Sequence, residues 1–228
     1  MTMDDGYRVQ RALVEARTRA GDHVAGWKVG MTSAAPRAQF GIDEPITGPI
    51  FASTVHVDGV AIEMGRLVAP GAEAEIAFVV REALAGPGVT AGRALLAVEG
   101  ALPALEIVDC RYCDWRFKGP DALADGCLNG GIVVGTRPVP LADLDLALEG
   151  LVWEQNGEVM GTATGAEVMG TPLSSLVWLA NKVAGWGLAL QPGDIVLAGS
   201  LSKLLRPRAG DTVRACFTRL GSVSARFL

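Results

Sequence analysis

The chain has 228 residues and a formal net charge of −5 at pH 7, and half of its residues are hydrophobic while a fifth are charged. This length fits one domain with room for a sizeable core, and the composition excludes an intrinsically disordered chain. The net negative charge excludes an overall basic surface of the kind that binds a nucleic-acid backbone. No window reaches the roughly 18 uninterrupted apolar residues of a membrane helix. We therefore expect a soluble, cytoplasmic protein with no nucleic-acid or membrane partner.

The chain opens with a predicted amphipathic helix over residues 4–20, which carry alanine, leucine and valine at helical spacing. We place an N-terminal helical segment at residues 1–22 and the main domain at residues 23–228. A short helix is predicted over residues 94–100. Glycine and proline separate short apolar runs that are typical of strands. These runs are residues 24–31, 48–57, 75–80, 105–110 and 131–135.

Two later segments carry the strongest local signals. Asn156-Gly157 joins the two apolar runs of residues 151–161 and predicts a β-hairpin with a two-residue type I′ turn. Thr171 and Pro172 precede an apolar stripe of helical period and predict the N-cap and first position of a helix. Because strands outnumber three irregularly spaced helices, we expect an α+β fold that is predominantly β.

Common catalytic motifs are absent or incomplete in the sequence. It has no phosphate-binding glycine-rich loop and no nucleophile elbow. Ser200 and Lys203 match S-x-x-K without its companion motifs, and the alternative is a simple turn. Neither histidine lies in a catalytic pattern. Four cysteines are too few for a disulfide scaffold and are expected to be free thiols, although they could form an irregular zinc site: Cys110, Cys113, Cys127 and Cys216.

Three glutamates in apolar strands are the clearest indication of a functional site. Glu73 and Glu75 lie two residues apart, so both side chains point to one face of a strand that is apolar on both faces. Glu106 lies in an equally apolar strand. Burying such carboxylates costs several kcal/mol each, so they require a metal, a basic side chain or shared protons. Oxygen ligands alone favour Mg²⁺ or Mn²⁺, while a salt-bridged surface is the alternative.

Ordered blocks from near residue 4 to the C-terminus carry a family resemblance. They are GWKVGMTS (26–33), AEAEIAFVV (72–80), PALEIVD (103–109), NGEVMGTATGAEVMGTPLSSLVWLAN (156–181), GDIVLAGSL (193–201), GD (210–211) and LGSVSARF (220–227). With the three glutamates, these blocks resemble the fumarylacetoacetate hydrolase superfamily, in its branch of 2-keto-4-pentenoate hydratases and 4-oxalocrotonate decarboxylases.

The resemblance implies a fumarylacetoacetate hydrolase-like mixed β fold with a few helices, in which residues 23–228 form the catalytic domain of a homo-oligomer. It implies Mg²⁺ or Mn²⁺ bound by Glu73, Glu75 and Glu106, and a lyase for 2-oxo or 2-hydroxydienoic acids of aromatic meta-cleavage catabolism. Hydration, as in a 2-keto-4-pentenoate hydratase, is the leading hypothesis. The alternatives are a 4-oxalocrotonate decarboxylase, an acylpyruvate-type C–C hydrolase and a non-catalytic 2-oxo-acid-binding paralogue.

The resemblance also assigns roles to individual side chains. Lys28 would contact the substrate carboxylate or relay protons, with its pKa lowered by burial but supported by the glutamates; alternatively it is a counter-ion for Glu73 or Glu75. Ser33 and Ser200 match polar positions that line the substrate cavity, although either could cap a turn. Asp125 is a further candidate for substrate binding.

The sequence departs from the family pattern at three places. Ile46 and Thr47 stand where hydratases of this branch commonly carry an acid, which weakens the expectation of water addition. Gly126 and Leu128 replace polar residues expected near the substrate, which leaves Asp125 and Asn129 as the polar residues of that block. The chain also begins late in the helical N-terminal segment of its relatives, so we expect a site cover that is reduced or supplied by a neighbouring subunit.

Overall fold

A computed structural model describes residues 1–228, apart from the side chain at position 39. Within the described chain, five α-helices occur: α1 (Met3–Arg19), α2 (Ala34–Phe40), α3 (Ala91–Ala97), α4 (Gly119–Ala124) and α5 (Pro172–Ala184). The first seven strands are β1 (Val24–Gly30), β2 (Ile46–Phe51), β3 (Val55–Val57), β4 (Val60–Ile62), β5 (Pro70–Val80), β6 (Val98–Asp109) and β7 (Asn129–Val134). The last five are β8 (Gly150–Gln155), β9 (Glu158–Thr164), β10 (Ile195–Ser200), β11 (Thr212–Phe217) and β12 (Gly221–Phe227).

The strands form two mixed sheets. The larger has the order β2-β1-β10-β5-β6-β7-β3, and the smaller has the order β4-β12-β11-β8-β9. The main apolar core joins the two sheets and α5, and includes Phe78, Leu105, Trp153, Leu176 and Phe227. Because β5 and β6 lie in the middle of the larger sheet, they are buried along most of their length. This arrangement confirms the predicted α+β fold.

Several local predictions agree with the structure. The opening helix is α1, where Thr2 and Asp5 form a capping box. Asn156 and Gly157 have φ values of 53° and 82° between β8 and β9, as a type I′ turn requires. Helix α5 starts at Pro172 with Thr171 as its N-cap, although the Thr171 side chain makes no capping hydrogen bond.

Other local predictions were wrong in detail. Residues 48–57 do not form one strand, because a 3-10 turn at Ala52–Thr54 separates β2 from β3. The sequence predicted three helices, and it missed α2 and α4, which are too short to show a helical period. The helix predicted at residues 94–100 corresponds to α3, which ends at Ala97 because β6 begins at Val98. Strand β6 also contains Pro103, opposite Ile76 of β5.

Helix α1 packs closely against the rest of the protein. Gln10 is 2 % exposed, and its Nε2 donates hydrogen bonds of 3.0 Å to the carbonyls of Thr47 and Leu123. The Tyr7 ring lies 4.7 Å from that of Trp186. The N-terminal segment thus contributes to the same packed body as the strands. Within the described chain, no helix has both the length and the apolar character needed to cross a membrane.

Candidate metal centre and its cavity

Two neighbouring strands bring the three glutamates together. Glu73 and Glu75 share one face of β5, and Glu106 of β6 is the register partner of Glu73. One carboxylate oxygen from each of the three lies within 4.8 Å of the other two. Glu75 and Glu106 are 1 % and 0 % exposed, while Glu73 is half-buried. The structure therefore forms a cluster of three acids with little access to water.

A backbone amide fixes Glu75. Gly199 donates its N–H to Glu75 Oε2 at 2.8 Å, from a point where the β10 register is irregular. Gly199 has a φ of +117°, and a Cβ there would lie 2.5 Å from Thr32 Cγ2. Only glycine combines this conformation with this close approach. The glycine of the block GDIVLAGSL is thus part of the support for the cluster.

Glu106 has two different partners. Its Oε1 accepts a hydrogen bond from Asn129 Nδ2 at 3.1 Å. Its Oε2 lies 3.0 Å from Lys28 Nζ, yet accepts no hydrogen bond from any described group. Lys28 Nζ donates to the carbonyl of Cys127 at 3.3 Å. The ion pair of Lys28 is therefore with Glu106, and not with Glu73 or Glu75 as the alternative reading of the sequence expected.

Burial and like charge act together on the carboxyl groups. Desolvation, reinforced by the charge of Glu106, raises the pKa of Glu73 to about 7. The same two causes raise the pKa of Glu75 well above its usual range. Desolvation alone would lower the pKa of Lys28, but the surrounding acids, led by Glu106, raise it overall. Both contributions expected from the sequence occur, and the attraction of several carboxylates exceeds the cost of burial.

The donor set fits a hard divalent cation. Three carboxylates face one ammonium group, so the cluster has an excess of buried negative charge when all three acids are ionised. Glu106 Oε2 is also a buried oxygen without a hydrogen-bond donor. Buried charges need compensation, and an all-oxygen set is typical of Mg²⁺ or Mn²⁺ sites. Glu73, Glu75 and Glu106 are thus suited to hold such an ion.

The cluster forms one wall of a cavity of about 260 Å³. Lys28, Ser33 and Ser200 line it as well, and among its described lining residues Lys28 is the single cation. The remaining wall is largely apolar. It includes Ile46, Val108, Trp115, Phe117, Ala122, Leu128 and Leu204. A ligand in this cavity would contact charged groups at one wall and apolar side chains over most of the rest.

Of the three residues predicted to bind substrate, only two line the cavity. Ser33 is exposed, lines the cavity and makes no capping hydrogen bond at the start of α2. The Ser200 hydroxyl donates to the carbonyl of Ser202 at 2.8 Å, so it stabilises a turn at the cavity wall. Asp125 does not line this cavity. Arg111 Nε donates to both of its carboxylate oxygens, at 2.7 and 2.9 Å, in a neighbouring cleft, so the structure does not place Asp125 where the sequence predicted a substrate ligand.

The weaker sequence candidates are not brought together. Among described residues, the three glutamates are the only group of three or more metal-ligating side chains in reach of one ion, so the cysteines form no zinc site there. Neither His23 nor His56 lines the cavity. Gly126 also lies outside it, whereas Ile46 and Leu128 line it. The sequence pointed to Asn129 as a polar residue of its block, but it did not predict the contact of Asn129 with Glu106.

The chain is similar to known proteins over nearly its whole length. The family model described as fumarylacetoacetate (FAA) hydrolase C-terminal matches residues 20–228. The chain is 37 % identical to 2-keto-4-pentenoate hydratase 1 of Dechloromonas aromatica (strain RCB), over 98 % of this chain and 85 % of that enzyme. It is 36 % identical to 4-oxalocrotonate decarboxylase of Pseudomonas putida, over 100 % of this chain and 86 % of that enzyme.

A solved structure is similar over the whole chain. It is 4-oxalocrotonate decarboxylase from Pseudomonas putida G7, complexed with magnesium and adipate. The match has a TM-score of 0.97 and 35 % identity, and covers 100 % of this chain and 87 % of that one. Since the family model spans nearly the whole chain and full-length relatives share more than a third of its residues, the protein belongs to the fumarylacetoacetate hydrolase family.

Proposed function

We propose that the protein is a divalent-metal-dependent lyase for a 2-oxo or 2-hydroxydienoic acid, and that it hydrates its substrate as a 2-keto-4-pentenoate hydratase does. The observation that carries this proposal is the convergence of three carboxylate oxygens beside Lys28 in a small, mostly apolar cavity. The similarity to hydratases and decarboxylases supports it, because both kinds of relative are lyases. We assign the reaction to aromatic meta-cleavage catabolism.

The chain's own groups account for substrate binding. Glu73, Glu75 and Glu106 would hold Mg²⁺ or Mn²⁺, which when bound supplies Lewis-acid stabilisation of the enolate charge that develops on a 2-oxo acid. In the metal-free protein, burial lowers the pKa of Lys28, but the neighbouring carboxylates, led by Glu106, raise it overall and favour the ammonium form. Its Nζ can therefore attract the substrate carboxylate or hold a proton beside the reacting carbons. Ser33 offers a hydroxyl at the same cavity.

The composition of the cavity wall favours a monocarboxylic substrate. No second cation occurs among the described lining residues, and Leu128 places hydrocarbon where the family pattern has a polar group. A second carboxylate on the substrate would be buried against apolar side chains, at a cost of several kcal/mol. A 2-hydroxypenta-2,4-dienoate, with one carboxylate and a hydrocarbon end, fits this distribution. The presence of only one cation at an otherwise apolar wall favours hydration of a monoacid over decarboxylation of a diacid.

Decarboxylation of 2-oxo-3-hexenedioate is the second candidate. It is supported by the TM-score of 0.97 to a decarboxylase complexed with adipate, which is a diacid. Ile46 also removes the acid that would assist water addition. A C–C hydrolase is less well supported, because neither histidine lines the cavity to activate water. A non-catalytic paralogue would retain the acids, but it gives no reason for the buried Lys28–Glu106 pair.

One assay separates these candidates. The protein is incubated with Mg²⁺ and either 2-hydroxypenta-2,4-dienoate or 2-oxo-3-hexenedioate, while dienol absorbance and released CO₂ are followed. We expect loss of the dienol without CO₂. Release of CO₂ from the diacid, with the dienol unchanged, would replace hydration by decarboxylation. Tight oxalate binding without turnover of either compound would identify the non-catalytic paralogue.

We also propose that the protein is a cytoplasmic homo-oligomer. Strand β9 is the edge of the smaller sheet, and its Val159 and Met160 are 61 % and 49 % exposed. An exposed apolar edge strand is a surface that proteins usually cover. Light scattering should give a mass that is a multiple of 23.7 kDa, and a monomer mass would contradict this proposal.

A further inference from the structure

A left-handed turn separates the cavity from the neighbouring cleft. Gly126, Cys127 and Leu128 have φ values of 67°, 59° and 60° in succession. For a residue other than glycine, this conformation costs roughly 1–2 kcal/mol. Two such residues in a row persist only where surrounding contacts enforce them. The turn therefore has to be held in place from outside.

On the cavity side, the turn reaches both members of the buried ion pair. The carbonyl of Cys127 accepts a hydrogen bond from Lys28 Nζ at 3.3 Å. Asn129, which directly follows the turn, donates from Nδ2 to Glu106 Oε1 at 3.1 Å. One short segment thus orients the ammonium group and the carboxylate together. A small movement of its backbone would shift both.

On the cleft side, Arg111 fastens the two ends of the turn. Its Nε donates to both oxygens of the Asp125 carboxylate, and its Nη2 donates to the Asp125 carbonyl at 3.1 Å, just before the turn. The same Nη2 donates to the Asn129 carbonyl at 3.4 Å, just after it. Nη1 lies 3.4 Å from Asp109 at the end of β6. Arg111 lines the cleft and not the cavity.

We propose that Arg111 is a positioning residue, which holds the left-handed turn so that Asn129 and the Cys127 carbonyl orient Glu106 and Lys28. Arg111 acts through the turn and does not contact the substrate. This inference rests on the proposed function, since the orientation of Glu106 matters because that residue holds the ion. A planar guanidinium with several fixed donors suits the task, because lysine cannot bind Asp125 and two carbonyls in this geometry.

The test compares Arg111→Met, Asn129→Leu and the double variant by titration with Mn²⁺, followed by electron paramagnetic resonance. Arg17→Met is the matched control, because Arg17 lines the same cleft and pairs with Asp22 without contacting the turn. Loss of a partner that orients a metal ligand typically weakens metal binding about 10–100-fold. We expect such a loss in both single variants, with a broadened Mn²⁺ spectrum, and no change in the control.

The double variant shows whether the two residues act in one chain of contacts. If Arg111 works through Asn129, the double variant should bind Mn²⁺ within about twofold of Asn129→Leu alone, because coupled residues are non-additive. Fully additive losses would overturn the proposal. It would also be overturned if both single variants matched Arg17→Met in affinity and spectrum.

The design also separates three further outcomes. If Arg111→Met does not fold, Asn129→Leu and Arg111→Lys decide the matter, since wild-type affinity in both would overturn the proposal. A wild-type protein that binds no Mn²⁺ would overturn the proposed function together with this inference. A wild type that binds Mn²⁺ and turns over the dienoate, beside variants that match the control, would overturn this inference alone.

Discussion

Glu73 and Glu106 are register partners on adjacent antiparallel strands, so two carboxylates face each other inside the larger sheet. Like charges opposite each other destabilise a strand pair even at a surface, and burial increases the cost. Glu75 adds a third acid. Among the described residues, Lys28 is the only cation that forms an ion pair with any of the three glutamates. A cation bound there would relieve this repulsion, which destabilises the metal-free protein.

Glu106→Gln should abolish metal binding while keeping the shape of the side chain. The substitution removes one charged ligand, so Mn²⁺ affinity should fall by more than the roughly 10–100-fold that loss of an outer partner causes. Titration calorimetry measures the affinity. Glu99→Gln is the control, since Glu99 is an exposed acid on the same strand β6. Turnover by the Glu106 variant after treatment with a chelator would contradict the assignment.

Lys28→Met should separate metal binding from turnover. Removing the ammonium group leaves three carboxylates without their counter-ion, so Mn²⁺ should bind at least as tightly as in the wild type. The kcat should fall by about 100-fold or more, in the range of general acid–base contributions. Lys203→Met, at an exposed lysine outside the cavity, should leave both quantities unchanged. An unchanged kcat in Lys28→Met would reduce Lys28 to a structural counter-ion.

The stability of the metal-free protein should fall as the pH rises from about 4.5 to about 7. The folded-state pKa of Glu73 is raised to about 7, so in this window the native state binds more protons than the unfolded state. The free energy of unfolding then decreases with pH, and Glu75 acts in the same direction. Urea unfolding of the metal-free protein at several pH values measures this slope.

Two comparisons isolate the contribution of the cluster to that slope. Glu73→Gln should flatten it, whereas Glu99→Gln should leave it as in the wild type, because Glu99 is exposed. Saturating Mg²⁺ should also remove the decrease, since the ion replaces the bound protons. An equal slope in Glu73→Gln and in the wild type would show that the pKa of Glu73 is not raised.

Gln10→Leu should destabilise the protein through the docking of α1. The Gln10 amide satisfies the buried carbonyls of Thr47 and Leu123, and leaving such groups unpaired costs about 1–3 kcal/mol. Urea denaturation measures the change in unfolding free energy. Arg11→Gln on the exposed side of the same helix should change it by less than about 0.5 kcal/mol. Equal effects of the two substitutions would contradict the proposed role of Gln10.

Local chemistry made several elements predictable. The pair Asn156-Gly157 specified its turn because few residues adopt positive φ values in succession. The left-handed turn at residues 126–128 could not be predicted in this way, because cysteine and leucine adopt positive φ there without any preference for it. Helices α2 and α4 were missed because six or seven residues do not show a helical period. Tertiary contacts determine the conformation of such segments.

By itself, the sequence determined the α+β class and three interior acids that need compensation, because alternation along a strand and apolar neighbours fix which face a side chain takes. Only the tertiary structure decided that Lys28 pairs with Glu106 and that Asp125 faces another cleft. It alone also placed Asn129 and Arg111 behind the three glutamates. These relationships join distant parts of the chain, since Lys28 and Glu106 are 78 positions apart. They depend on strand register and on a turn held by distant contacts, and neither leaves a local pattern in the chain.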